Sequence, residues 1–414
     1  MKMGKRNLLI GAAVCFMVAA FVLSLGGISQ AAPKTIKVSA VVSETGNMAG
    51  NAMQCKTAYD IYVDKLNAEG GVYVKKYGKK LPIELRVLDD ESNGQKTQTQ
   101  LEVANSWGAV ANLGGIGCSS FEMGTPIAQK NKMVWIGPGC GGWAPHQHGN
   151  KWMFSPFIKT KFFCPIVFDM VKSMPGPIPK KVAIFEINQL DAQEANQFWT
   201  EKAKKEGFDI VFHQKYPMGT KDFSAMITGA KAAGAEILLA YPIPPMGPAI
   251  VKQMKELDYS PKLTYWIRAP ESVTFGPSLG SLSNYVCVPV SWSEYLRLPG
   301  NDYLTEHYKK ITGRLGDPIA GPAYAAAEIL FNAIERAGTL DRTAIRDAVR
   351  ATDMETVCGR IRFTDQGWAK DRMILVAQWM DGKRQIVYTN AAGRKYGDKV
   401  PIVPFKWQPK WSER

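Results

Sequence analysis

Short apolar runs typical of buried strands alternate with helical patterns along most of this 414-residue chain. The run at 36–42 ends at Glu44-Thr45-Gly46, and the helical pattern after it stops at Gly70-Gly71. A proline-rich break at 174–179 precedes a second series, which opens with the run at 181–187. Such alternation predicts parallel sheets flanked by helices, and two series predict two Rossmann-like lobes in an α/β fold.

The other elements continue the same pattern. We predict further strands at 81–88, from 110, and at 133–136, 210–216 and 236–241. We predict further helices at 95–108, 192–206, 224–233 and 247–257.

Two of the predicted strands end in glycine-rich segments, at 114–118 and 137–142. The carboxyl ends of strands in an open α/β sheet are where small ligands bind. Ser119 follows the first segment and opens a short helix, whose unpaired N–H groups and dipole favour a carboxylate. Ser119 and Glu122 also match a capping box, so capping and ligand contact both stay open. The pattern predicts a binding mouth rather than a reaction centre.

The N-terminus has the order of a secretory signal. Lys2, Lys5 and Arg6 precede an apolar run at 8–25, and small residues precede Ala32. We therefore predict a signal peptide over residues 1–31, a mature chain that begins near Ala32, and export. An uncleaved membrane anchor is the alternative, because 18 apolar residues are near the lower limit for a span.

Charge and cysteine content exclude some classes of function. Cleavage removes three basic residues and no acidic one, so the net charge falls from +14 to +11. The basic clusters, at 75–80 and 202–205 for example, are short and typical of solvated surface, and we expect no nucleic acid partner. Six cysteines remain, of which Cys118 and Cys140 are the best candidate pair because they end neighbouring strands. The absence of C-x-x-C argues against a thioredoxin-type site and a zinc knuckle.

Short motifs along the chain form an ordered set: Thr45-Gly46, 66–71, Asp89-Asp90, Cys118-Ser119-Ser120, 138–141, 221–224 and 356–363. In this order they resemble the type I periplasmic binding proteins of the leucine/isoleucine/valine-binding branch, the solute receptors of ABC importers. The resemblance implies two lobes joined by a three-strand hinge. It implies a first lobe of 34–158 with 289–364 and a second of 159–288 with 365–414, so that a helix at 323–337 returns to the first lobe.

The resemblance also implies which residues contact the ligand. In the first lobe, Ser119, Gly139 and Gly141 would receive the carboxylate of an amino acid, and backbone carbonyls near Gly139 would face its ammonium group. The second lobe would contribute Asp191, Tyr241 or Pro242, and Glu271. A buried acid such as Glu271 predicts a cationic or donor-rich ligand group, and an exposed loop acid is the alternative.

Three positions depart from the family pattern. Gly141 lacks the usual hydroxyl group, and Asp191 replaces an aromatic residue. Asn51 stands where an aromatic side chain commonly closes over the ligand, although Trp143 or Met123 are alternatives for that space. With Cys140, these positions predict a specificity that differs from that of the relatives. A polar amino acid, a small amide and an aromatic acid all remain open.

The resemblance implies that the second lobe closes over a ligand held by the first and that a membrane permease recognises the closed form. We expect a small-molecule ligand, ABC permease subunits as partners, a monomer and no cofactor. A periplasmic sensor for a chemoreceptor or kinase is the alternative, and nothing in the chain separates the two.

An enzyme is the other rival class, because Rossmann-like lobes carry many reactions. The segment 114–117 lacks the full G-x-G-x-x-G spacing of a dinucleotide site, and no G-x-S-x-G occurs. His146 and His148 form a candidate metal pair without a third ligand, which is more typical of polar surface. We therefore expect neither catalysis nor a bound metal.

Overall fold

The computed structural model describes residues 32–147 and 149–414, and two large sheets form the centre of this part of the chain. The first sheet has five parallel strands in the spatial order β4 (Ile83–Asp89), β1 (Ile36–Val42), β5 (Ala111–Gly114), β6 (Val134–Ile136) and β7 (Met153–Phe154). The second has seven strands in the order β16 (Lys383–Thr389), β15 (Leu375–Met380), β12 (Val286–Val290), β11 (Leu263–Trp266), β10 (Ile237–Ala240), β8 (Lys181–Ile187) and β9 (Asp209–Tyr216). Two short hairpins pair β2 (Val72–Val74) with β3 (Lys79–Leu81) and β13 (Asp353–Thr356) with β14 (Gly359–Arg362). The predicted signal peptide and His148 lie outside the described residues.

The second sheet is mixed, which the strand and helix alternation did not predict. Strands β9, β8, β10, β11 and β12 are parallel, whereas β15 and β16 add to one edge in antiparallel orientation. The two edge strands are joined by Asp381 and Gly382, both with positive φ, at 51° and 73°. An Asp-Gly pair between two apolar runs is a strong sequence signal for a two-residue hairpin, so this element could have been found.

Helices cover both sheets. They are α1 (Ala49–Ala68), α2 (Gly94–Trp107), α3 (Cys118–Lys130), α4 (Thr160–Phe163), α5 (Ile166–Lys172), α6 (Leu190–Glu206), α7 (Ser224–Ala232), α8 (Met246–Glu256), α9 (Phe275–Leu279), α10 (Asn301–Thr312), α11 (Ala320–Ala337), α12 (Arg342–Arg350) and α13 (Ala391–Arg394). Gly70, just beyond α1, has φ +89° and Gly108, just after α2, has φ +87°. These left-handed glycines satisfy the helix ends and explain why both helices stop there.

Helices α11 and α12 pack with the first sheet although they follow β12 of the second sheet in sequence. The rings of Tyr62 on α1 and Tyr324 on α11 meet edge to face, with centroids 4.8 Å apart. Arg342 of α12 donates to the carbonyl oxygens of Asn131 at 2.9 Å and Ala109 at 2.6 Å. We call the first sheet with α1–α3 and α10–α12 the first lobe, and the second sheet with the remaining helices the second lobe.

The chain therefore passes between the lobes after β7, after β12 and again between β14 and β15. The first and third of these crossing segments pair with each other through an isolated bridge between Ser155 and Trp368. Arg372 joins them further, because its Nε donates to the Pro156 carbonyl oxygen at 2.9 Å and its Nη1 to that of Cys358 at 2.8 Å.

An aromatic cluster of Trp143, Phe162 and Trp368 lies beside these crossing segments. The ring centroids of Trp143 and Trp368 are 5.1 Å apart, and those of Phe162 and Trp368 are 5.9 Å apart. The Lys161 ammonium lies 4.6 Å from the Trp143 ring centroid and within 6 Å of the other two rings. Each contact is a cation–π interaction, so residues of both lobes and of the third crossing segment converge on one charge.

Candidate functional site

A cleft between the carboxyl ends of the two sheets holds the candidate site. Its outer cavity has a volume of about 300 Å³ and its inner cavity one of about 30 Å³. Four residues line both cavities: Ile116, Gly117, Cys118 and Arg268. The first three follow β5 of the first lobe and Arg268 follows β11 of the second, so both lobes contribute to one enclosed space, as expected at strand ends.

The first-lobe wall is built by the start of α3. The helix begins at Cys118, and Gly117 occupies the N-cap position with φ +108°. No side chain caps the helix, so the alternative in which Ser119 and Glu122 form a capping box is wrong. The position of the helix start explains the difference, because Ser119 is the second helical residue and Gly117 is the N-cap residue. The N–H groups of the first turn thus lack a side-chain acceptor beside the outer cavity, which Ser119 lines.

Gly139 and Gly141, two candidate ligand contacts in the loop after β6, line the inner cavity. A Cβ on Gly139 would lie 2.5 Å from Cγ2 of Ile116, so only glycine fits there without movement. A Cβ on Gly141 would lie 3.1 Å from the Phe163 ring, which meets the Phe157 ring edge to face. The space near the missing hydroxyl group of residue 141 is therefore occupied by an aromatic pair.

Arg268 is the main site residue that the sequence reasoning missed. Its side chain is 11% exposed and forms an ion pair with Asp191 at the start of α6. It also donates to Oε1 of Gln189 at 3.2 Å and stacks over the Tyr241 ring at 4.9 Å. Asp191, which the sequence placed in the cleft, lines the outer cavity, but its charge is neutralised by the protein's own guanidinium.

The backbone at Arg268 has an unusual conformation, with φ +71° and ψ −64°. The N–H of Ala269 bonds the carbonyl oxygen of Ile267 at 3.0 Å across it, which makes a γ-turn of the rare, strained kind. Such strain costs on the order of 1–3 kcal/mol and persists only where surrounding contacts hold it. Here the Asp191 ion pair and the Tyr241 ring supply those contacts.

Glu271 ends the short 3₁₀ helix Ala269–Glu271 and lines the inner cavity. Only 8% of it is exposed, so the alternative of an exposed loop acid is wrong. Burial raises the pKa of its carboxyl group to about 7, against a smaller opposing effect of the Arg268 and Arg384 charges. The carboxyl group forms no ion pair with any residue in the described ranges, so it is available to a ligand in either protonation state.

Asn51 lies on α1 and is completely buried. Neither its amide nitrogen nor its amide oxygen has a hydrogen-bond partner among the described residues. Three residues on, Gln54 accepts from the Ile319 N–H at 2.8 Å and donates to the Glu271 carbonyl oxygen at 3.5 Å. The unpartnered amide therefore lies one helical turn from a contact that joins the two lobes, although Asn51 is not among the residues that line the two cavities.

Cys140 also lies behind the cavities rather than on them. All six cysteines of the described residues are free thiols, including the candidate pair of Cys118 and Cys140. The backbone N–H of Gly142 donates to the Cys118 sulfur at 3.1 Å. The buried Lys159 ammonium donates to the Cys140 carbonyl oxygen. Burial raises the pKa of the Cys140 thiol, but a hydrogen bond from Cys118 and the Lys159 charge together lower it well below its usual range.

The alternative residues lie elsewhere. The Trp143 ring belongs to the aromatic cluster, and Met123 packs against Gly94, so neither lines the cleft. Pro242 accepts a hydrogen bond from Ala269 through its carbonyl oxygen, whereas Tyr241 lines the inner cavity. The apolar wall of the outer cavity is instead formed by Met48, Leu190, Met218 and Ile243.

His146, one of the two candidate metal ligands, is buried and bonds the Gln366 carbonyl oxygen through Nδ1 at 3.0 Å. Burial lowers its pKa. In residues 32–147 and 149–414, no group of three or more His, Cys, Asp or Glu side chains is arranged to bind a metal ion. No helix in these ranges combines the length and the apolar character that crossing a bilayer requires.

The sequence model of a family described as periplasmic binding protein matches residues 35–384. The Leu/Ile/Val-binding protein homolog 7 of Brucella abortus is 24% identical over 404 residues, which cover 91% of this chain and 97% of that protein. A branched-chain amino acid transporter substrate binding protein from Streptococcus pneumoniae, solved with isoleucine, superimposes with a TM-score of 0.76 at 18% identity and covers 86% of this chain and 99% of its own. A solute binding protein of an ABC transporter from Rhodopseudomonas palustris, solved with 3,4-dihydroxybenzoic acid, gives 0.75 at 20% identity, with 87% and 98% covered.

Proposed function

This chain belongs to the periplasmic binding protein family, and from that membership we propose that it captures a small polar ligand between its lobes and delivers it to an ABC import permease. The observation that carries the proposal is the cleft, whose inner and outer cavities are lined by the strand ends of both lobes. The family is one of binding proteins rather than enzymes, so we expect ligand release without chemical change.

The proposed ligand is an amino acid or a related small amide or carboxylate. Its carboxylate would accept from the first-turn N–H groups of α3, next to Ser119, where the helix dipole favours negative charge. The relatives named above were solved with isoleucine and with 3,4-dihydroxybenzoic acid, which share only the carboxylate. The paired rings of Phe157 and Phe163 and the Tyr241 ring give the inner cavity an aromatic character that suits either ligand type.

Binding would proceed by closure of one lobe onto the other. We propose the lobes as 34–158 with 289–364 and as 159–288 with 365–414, joined by the three crossing segments. The bond from Gln54 to the Glu271 carbonyl oxygen would form only in the closed arrangement, since its two residues lie in different lobes. A ligand that contacts both walls would then shift the population toward the closed form.

The proposed location is the periplasm, after cleavage of a signal peptide before Ala32. A monomer with permease subunits as partners and no nucleic acid ligand fits a receptor of this family. Residues 1–31 can be tested directly, because the intact mass and N-terminal sequence of exported protein would identify the cleavage site. If the protein keeps this segment and is found in the membrane fraction, an uncleaved membrane anchor is favoured instead.

The central experiment is a thermal-shift screen of residues 32–414 against amino acids, amides and aromatic acids, followed by calorimetry of the best ligand. Binding stabilises the folded state by an amount that grows with the ratio of ligand concentration to Kd. Ser119→Ala and Glu271→Gln should each weaken binding, by roughly tenfold for the loss of one or two hydrogen bonds to a charged group. The exposed Ser281→Ala variant, outside both cavities, serves as the control.

Unchanged affinity in both cleft variants would overturn the site assignment. Transport is tested separately, by uptake of the identified ligand in cells that carry or lack the gene. Binding in vitro with unchanged uptake would favour the sensor alternative over the importer.

A further inference from the structure

A cavity separate from the cleft lies beside the first and third crossing segments. Its volume is about 640 Å³, and none of its lining residues lines the cleft. Phe162 and Trp368 of the aromatic cluster form part of its wall, together with Ile158 and Ile374. We call it the crossing cavity. Its size lies in the range of roughly 300–1,000 Å³ that is usual for small-molecule sites.

The crossing cavity carries an excess of positive charge. Five cationic side chains line it, namely Lys159, Arg362, Lys370, Arg372 and Lys395, against two acidic ones, Asp169 and Asp371. Both acids already have partners, since Asp371 pairs with Arg362 at 2.7 Å and Asp169 with Lys202 at 2.8 Å. Lys370 and Lys395 form no ion pair with any residue in the described part of the chain. Positive potential in a partly enclosed space with apolar walls attracts anions.

Arg372 distinguishes the crossing cavity from an ordinary basic surface. The residue is 6% exposed, and its guanidinium has no carboxylate partner in the described ranges, only carbonyl acceptors. Its Nη2 is buried without any hydrogen-bond partner in the same ranges. A guanidinium stays charged in proteins, and a buried donor without an acceptor is costly. An anion seated in the crossing cavity would stabilise this buried charge by electrostatic attraction.

A neighbouring cavity extends the same charge. Its volume is about 280 Å³, and it shares Arg362, Lys370 and Lys395 with the crossing cavity. Arg360 adds a further guanidinium there, which is already paired with Asp353 at 2.6 Å. Two carboxylates also line this cavity, Asp371 and Glu355, and the Glu355 carboxylate accepts from the Tyr396 hydroxyl group at 3.2 Å. The two lysines therefore stand at the junction of both spaces, where a ligand with several negative charges would contact them together.

We propose that the crossing cavity is a second ligand site, which takes a small multivalent oxyanion of the phosphate or polycarboxylate type. Lys370 and Lys395 bind its oxygen atoms, and Arg372 supplies charge from the buried wall. Lys370, Lys395 and Arg372 have no carboxylate partner in the described residues, and their charge matches a ligand of two to three negative charges. Lys159 has no carboxylate partner there either, but its ammonium group donates to the Cys140 carbonyl oxygen. The site is independent of the amino acid or carboxylic acid proposed for the cleft.

Calorimetric titration of residues 32–414 with inorganic pyrophosphate tests the site, at an ionic strength held constant with sodium chloride. We expect saturable binding of one equivalent. The double variant Lys370→Gln, Lys395→Gln should weaken it by at least about tenfold, since two charge-assisted contacts are lost. The exposed pair Lys204→Gln, Lys205→Gln removes the same charge from α6 and should leave binding unchanged.

Absence of saturable binding, or equal weakening in both double variants, would overturn the proposal. Glu271→Gln should bind pyrophosphate like the parent, which separates failure of this site from failure of the cleft. Co-sedimentation with phosphatidylglycerol vesicles distinguishes a free oxyanion from a lipid headgroup. Vesicle binding that the Lys370 and Lys395 double variant abolishes would contradict a free oxyanion as the ligand.

Discussion

The protonation of Glu271 should determine how ligand affinity depends on pH. Burial raises the pKa of this carboxyl group to about 7 from an ordinary value of 4.5. At about 1.4 kcal/mol per pKa unit, the folded protein without ligand favours the neutral form by about 3 kcal/mol more than water does. A ligand group beside Glu271 must therefore either displace the proton of the neutral carboxyl group or accept a hydrogen bond from it.

The sign of the dependence reports the ligand class. An ammonium group requires the carboxylate, so binding below pH 7 releases a proton, and affinity should rise by up to about tenfold per pH unit from pH 5 to 7 before it levels off. A ligand oxygen that accepts from the neutral carboxyl group requires the proton, so affinity should instead fall above pH 7. Glu271→Gln keeps the shape of the side chain but removes its titratable group, so the ligand affinity of this variant should not change with pH.

Calorimetry at pH 5, 6, 7 and 8, in buffers of different ionisation enthalpy, measures both affinity and the number of protons exchanged. Glu328→Gln is the matched control, because burial raises the pKa of Glu328 on α11 to about 8 and neither cavity of the cleft includes it. That variant should keep the parent's pH profile for ligand affinity. Identical profiles for the parent and Glu271→Gln would refute the reasoning.

Three further outcomes follow from the site. Arg268→Ala leaves Asp191 buried without a partner and should lower the free energy of unfolding by about 3–5 kcal/mol in urea denaturation. Adding Asp191→Asn to this variant should recover part of the loss, and additive effects of the two substitutions would contradict a coupled pair. Gly139→Ala forces a Cβ against Ile116 and should cost about 1–3 kcal/mol by the same assay, and an unchanged midpoint would contradict the close approach. Alkylation of folded protein of residues 32–414, followed by mass spectrometry, should modify Cys118 first, because the other five cysteines of this range are buried, and the cleft ligand should slow the reaction. After unfolding without reductant all six cysteines of this range should react, and fewer would indicate a disulfide.

Much of the fold could be predicted because its strands are bounded by strong local signals. The first strands of both series, at 36–42 and 181–187, have the predicted bounds. Their apolar runs end at turn residues, which fixes both ends of the strand. The antiparallel edge of β15 and β16 was not predicted, although Asp381-Gly382 marks its hairpin. Alternation of strands and helices indicates parallel units only.

The site was harder to predict because it depends on which strand ends are neighbours. Gly139 could be placed near Ile116 since both lie at the ends of successive strands, and the two residues indeed form a β-bridge. Asp191 and Arg268 lie 77 residues apart, after β8 and β11, which are separated in the sheet by β10. Sequence periodicity does not reveal strand order, so nothing local linked the two charges. An arginine directly after a buried strand was the one available signal.

The aromatic cluster provides the protein with an internal optical reporter. Trp143 and Trp368 lie in van der Waals reach of one another beside the crossing segments, with the Lys161 charge above them. Indole emission responds to nearby charge and to ring stacking, and a rotation of the lobes would alter both. Intrinsic fluorescence should therefore follow lobe movement without an attached dye, and replacing Trp143 by Phe would identify the share of the signal that comes from this cluster.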